Sequence, residues 1–147
     1  MAENMKGKKI KKWDEVTGAE IMNVFFLKSY LKLQNFDKAK IYLDRYESAK
    51  AVKEDVSRIV GGWRALYLYK ADYFRGVNNP DSAEYYYKKA LSSQGPGFRP
   101  ITTYKGLYDI YATTGQVDSM TQYMNLYMAE KEKQYDAEQM QSMQQMA

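Results

Sequence analysis

ALYLYKADYFRGVNNPDSAEYYYKKAL, residues 65–91, is the stretch whose reading decides the fold. Trp63, Leu66, Tyr67, Ala71 and Phe74 make one helical stripe, which stops at Gly76 and the turn residues Asn78, Asn79 and Pro80. A second stripe follows at Ala83, Tyr86, Tyr87, Ala90 and Leu91. Between them, Asn79-Pro80-Asp81 supplies a capping side chain, a proline where no amide donor is needed, and a carboxylate in the first turn. The stretch therefore predicts two helices joined by a tight turn.

The same pattern continues outward in both directions. Upstream, Ala19, Met22, Phe26, Tyr30 and Leu33 form a stripe that stops near Gln34-Asn35, and Phe36, Ala39, Leu43 and Tyr46 begin the next. Residues 47–62 read as the end of that helix and the lead into the following one, weakened by Gly61-Gly62. Downstream of the connector Gly95-Pro96-Gly97, Pro100 precedes a stripe at Tyr104, Leu107, Tyr108 and Tyr111, closed by Gly115. Val117, Met120, Met124, Tyr127 and Met128 give a sixth. Ala39, Ala83 and Met120 occupy equivalent places, with Leu43, Tyr87 and Met124 four residues later, so the units are offset by 44 and then 37 residues. The expected fold is all-α, an α-solenoid of three helical hairpins with an extended C-terminal helix. Such hairpins bury their faces only by stacking on one another.

Charge and composition narrow the functions. The formal charge of +4 sits in a leader, where Lys6, Lys8, Lys9, Lys11 and Lys12 face only Glu3, and the remaining 17 basic and 17 acidic side chains cancel. Residues 1–15 read as a disordered basic leader, 16–130 as the repeat domain and 131–147 as a helical extension. The neutral body promises no phosphate-binding face, so a nucleic-acid partner would rest on Lys6 to Lys12 plus the off-stripe tyrosines Tyr69, Tyr73 and Tyr85. Cysteine and histidine are absent, which removes thiolate nucleophiles, imidazole bases and the usual zinc ligands. Asp and Glu are scattered beside lysines, and no glycine cluster leads into a phosphate-loop Lys-Ser/Thr. Neither an enzyme nor a metal or other cofactor is expected. No apolar run reaches the length of a membrane span.

The middle unit resembles the tetratricopeptide repeat. Ala71 and Phe74 match the family's small residue and aromatic of the first helix, and Ala83, Tyr87 and Ala90 match the second-helix positions. The third unit fits through Tyr104, Leu107, Tyr111 and Gly115 but departs at Tyr108 and Met120, and the first has Leu27 at the small-residue place. The phrases AEYYYKKAL, TTYKGLYDIYATTGQVDS and MNLYM between Ser82 and Met128 resemble the tetratricopeptide sensor regions of Bacteroides-type membrane regulators and histidine kinases. That resemblance implies the partner-sensing part of a larger membrane-anchored regulator on its periplasmic side; without it, a cytoplasmic interaction module is the expectation. It also implies that the first helix of each pair lines a concave face that holds a protein or peptide. On this chain the contact set would be Val24, Lys28, Leu31 and Lys32, then Leu68, Asp72 and Arg75, then Lys105, Asp109 and Ala112. The carboxylate clamp of chaperone-binding relatives is not matched, since its places read Val24, Lys28, Tyr69, Thr102 and Gly106. The final stretch carries Met140, Met143 and Met146 without a Gly or Pro stop, which suits a lever or a helix that pairs in a homodimer.

Overall fold

The computed structural model describes residues 18–52, 63–93 and 99–146, and every regular element among them is a helix. The basic leader, the join after the second helix (53–62) and the Gly95-Pro96-Gly97 connector lie outside the described residues. The helices are α1 (18–32), α2 (Phe36–Val52), α3 (Trp63–Gly76), α4 (Pro80–Ser92), α5 (Ile101–Thr114) and α6 (Val117–Met146). They belong to two compact units, one holding α1 to α4 and the other α5 and α6.

Three turns repeat one design. Gln34 and Asn78 sit in the left-handed region, at φ 57° and 60°, and Gly115 does so at 73°. The residue after each donates its backbone N–H five residues back: Asn35 to Tyr30 at 2.9 Å, Asn79 to Phe74 at 2.8 Å and Gln116 to Tyr111 at 3.0 Å. These bonds satisfy carbonyls that a helix end would otherwise leave unpaired. Each of these residues then opens the next helix, its carbonyl accepting from Ala39, Ala83 or Met120. The Asn35 and Asn79 side chains also accept from the N–H of Lys38 and Ser82, at 3.3 and 3.2 Å. Side-chain capping of this kind is worth about 1 kcal/mol per helix. The offsets of 44 and 37 residues read from the apolar pattern are thus present in the hydrogen bonding.

In the first unit Leu27, Ala39, Leu43, Tyr46 and Leu66 form a core shared by α1, α2 and α3. Complete burial of a leucine such as Leu27, Leu43 or Leu66 stabilises by roughly 1.5–3 kcal/mol. The Tyr46 and Tyr69 rings meet edge to face at 5.8 Å, and Lys70 Nζ reaches Glu47 Oε1 at 2.5 Å, so polar and aromatic contacts also join the two hairpins. Gly76 ends α3 against the Phe36 ring, which fills the space a Cβ would need. Further along, α3 and α4 close over Ala71, Ala83, Tyr87 and Ala90. In the second unit α5 buries Thr103, Gly106, Leu107, Ile110 and Tyr111, while Tyr123 of α6 stacks on Tyr111 at 5.6 Å.

Two predicted stripes are displaced. On α1, Met22 and Leu33 are 51% and 73% exposed, and the inward face runs through Glu20, Val24, Leu27 and Leu31. The run Val24-Phe25-Phe26-Leu27 puts apolar groups on every side of the helix, so periodicity alone does not select a face. On α6 no residue is fully buried, and Val117 and Met128 of the expected stripe are exposed. Tyr69 and Tyr73, read as off-stripe, pack on the core of the first unit, whereas Tyr85 is exposed as expected.

Candidate partner-binding groove

An open groove of about 610 Å³ lies in the first unit. One wall is α1, which contributes Lys28, Leu31 and Lys32. The other is α3, with Tyr69, Asp72, Arg75 and Gly76, and the α1–α2 turn and the start of α2 add Gln34 and Phe36. Positions i, i+3 and i+4 share a helix face, so 28, 31 and 32 point the same way, as do 69, 72, 75 and 76. The small Gly76 lets Phe36 come in under the groove, where its ring also meets Tyr73 at 6.3 Å.

Five of the ten residues in the predicted contact set therefore meet in one place: Lys28, Leu31, Lys32, Asp72 and Arg75. Val24 is half-buried and packs on the core, and Leu68 is half-buried. Lys105, Asp109 and Ala112 stand on α5 in the other unit, with Lys105 Nζ 3.5 Å from Asp109 Oδ2 and Ala112 exposed. Gln34, Phe36, Tyr69 and Gly76 line the groove without having been singled out for it. Phe36 reads from the sequence as an ordinary packing residue, Tyr69 as an off-stripe tyrosine and Gly76 as a helix stop.

The groove is polar in a directed way. Asp72 Oδ1 accepts from the Tyr87 hydroxyl at 2.5 Å, and Arg75 Nη2 lies 3.7 Å away. Burial pushes the Asp72 carboxyl above its usual range, and these two partners pull it partly back. Burial, helped by the neighbouring Asp72 carboxylate, raises the Tyr69 phenol as well, so Tyr69 stays a neutral hydroxyl at physiological pH. The lysines differ sharply in their company. Lys40, Lys70, Lys88, Lys105 and Lys133 each reach a carboxylate, and Lys38, Lys89 and Lys131 lie over tyrosine rings. Among the described residues, Lys28 and Lys32 have neither kind of partner.

A smaller recess of about 420 Å³ lies in the second unit between the start of α5 and the outer half of α6, lined by residues that include Arg99, Ile101, Glu130 and Gln134. Among the described residues no group of acidic side chains is arranged to hold a metal ion, and no helix is long and apolar enough to cross a membrane. No protein-family model matches the chain, nor does any curated protein or solved structure.

Proposed function

We propose that the chain is a non-enzymatic interaction module of the tetratricopeptide type, and that it holds a peptide or an extended segment of a partner protein in the groove between α1 and α3. The observation that carries this reading is convergence. Lys28 and Lys32 of α1 and Asp72 and Arg75 of α3, about forty positions apart in sequence and expected as contact residues of two first helices, line a single groove. The turn shared by all three hairpins supports a repeat architecture, in which stacked hairpins present their first helices on one side. Leu31, Phe36 and Tyr69 offer apolar and aromatic contact, with charged groups around them to fix register, the usual composition of a peptide site. The resemblance between Ser82 and Met128 extends the proposal to a place in a larger membrane-anchored regulator, with this chain as its sensing part.

The absence of cysteine makes the test clean, because a single introduced thiol takes a bulky maleimide at one chosen point. Lys32→Cys places the label in the groove, whereas Ser48→Cys places it on exposed surface about 18 Å along α2 from Phe36. A random peptide library displayed on phage is panned against the unlabelled protein. The label at 32 is expected to abolish capture of the selected peptides and the label at 48 to leave it intact. If no peptide is selected, or the selected ones ignore the label at 32, the groove assignment fails.

A further inference from the structure

We infer that the groove selects an acidic peptide, whose carboxylates sit against Lys28 and Lys32 on one wall and Arg75 on the other, with an apolar side chain between them. The inference rests on the groove being a peptide site and adds the chemistry of its occupant.

The charges argue for it. The lining carries three cationic groups and one carboxylate. That carboxylate, Asp72, already receives the Tyr87 hydroxyl and has the Arg75 guanidinium beside it. Lys28 and Lys32 lie one helical turn apart on the same face of α1 and keep no carboxylate or ring partner among the described residues, unlike the other lysines whose side chains are described. Two ammonium groups at i and i+4 repel one another, whereas Lys40, Lys88, Lys105 and Lys133 each have an acid three or four residues away on their own helix. Here the acid is missing at the mouth of a groove. A ligand carboxylate would supply it, and the neutral Tyr69 hydroxyl would add a donor. Exposed pairs of this kind contribute modestly to affinity, so contact with Leu31, Phe36 and Tyr69 supplies much of the binding and the lysines supply the choice among peptides.

Two fluorescein-labelled peptides test the inference, one alternating glutamate with leucine and phenylalanine, the other its glutamine-for-glutamate counterpart. Fluorescence anisotropy is read on the full chain, on Lys28→Gln/Lys32→Gln, and on Lys40→Gln/Lys88→Gln, which removes the same charge elsewhere in the first unit. The glutamate peptide is expected to bind at least about tenfold tighter than its counterpart. It should lose about tenfold on the groove pair and less than about twofold on the control pair, and should weaken as salt rises. Equal binding of both peptides, with both blocked by a label at residue 32, overturns the acidic preference and leaves the groove assignment standing. So does selection of groove-binding phage peptides without acidic residues. Equal loss on the two lysine pairs overturns the inference as a general charge effect. A short oligothymidylate that displaces the glutamate peptide and itself depends on Lys28 and Lys32 overturns it in favour of nucleic acid.

Discussion

α2 and α6 are each the second helix of a hairpin and open on the same turn, yet they end up in very different surroundings. Ala39, Leu43 and Tyr46 of α2 are at most 2% exposed. Their equivalents on α6 are Met120 and Tyr127, which are half-buried, and Met124, which is 38% exposed. α4 behaves like α2, burying Ala83, Tyr87 and Ala90. One difference lies at the first of these positions, which is a fully buried alanine in α2 and α4 and a larger, half-buried methionine in α6. The placement of a repeat residue thus comes from the turn, whereas its burial comes from the size of its neighbours and from how many helices press on it.

The sharpest way to break this comparison is to truncate equivalent side chains. Leu43→Ala is expected to cost about 2–4 kcal/mol in urea denaturation followed by circular dichroism, because it opens a cavity in a shared core. Met124→Ala should cost less than about 1 kcal/mol, since its side chain is already partly in water. Equal losses would mean that α6 is as tightly held as α2. A smaller effect is expected where the two hairpins of the first unit meet. Gly76→Ala places a methyl group where the Phe36 ring lies, and about 1–3 kcal/mol should be lost to overpacking. Phe36→Leu should recover part of that loss, and a double-mutant cycle with no coupling would break the assignment of Gly76 to close packing.

The smallest effect expected is at Asp72, whose carboxyl is raised by burial. A group raised on folding adds stability below its unfolded value, near about 3.9, and that contribution is lost as pH rises through the folded value. Asp72→Asn removes the charged form from the groove and still accepts from Tyr87. At neutral pH the variant should match or exceed the parent by about 0.5 kcal/mol, a figure kept small by solvent at the side chain. The difference should shrink as pH falls through the carboxylate range. A variant clearly less stable than the parent at neutral pH would show that the Tyr87 and Arg75 contacts outweigh desolvation.

The hairpin joints were legible because their chemistry is local. Asn79-Pro80-Asp81 carries its own cap, and Gly115 its own left-handed conformation, so neither needs the rest of the fold to be read. Gln34 was legible only as the place where a stripe stops, since nothing in a glutamine announces a positive φ. The buried face of α1 was not legible, because four apolar residues in succession, Val24 to Leu27, offer every side of the helix to the core. Glu20 is 3% exposed, which no pattern of hydrophobic residues would suggest. For the groove, the repeat resemblance together with helical spacing points to Lys28, Lys32, Asp72 and Arg75, while Val24 and Leu31 of the same set pack on the core. Phe36 could not be read in this way, since its part depends on the close approach that Gly76 permits, nor could Tyr69, whose ring packs on Tyr46 of another helix.

The repeated turn has a mechanical consequence. In the first unit the α1–α2 and α3–α4 turns are each pinned by backbone bonds on both sides of a left-handed residue and by an asparagine cap, which leaves the link between paired helices little compliance. Under the proposed function, a guest between α1 and α3 would push on two different hairpins, and the strain would fall on the seam where Phe36 meets Gly76 and Glu47 meets Lys70. Occupancy would then be transmitted as a tilt between stiff struts, with the elbows themselves staying rigid.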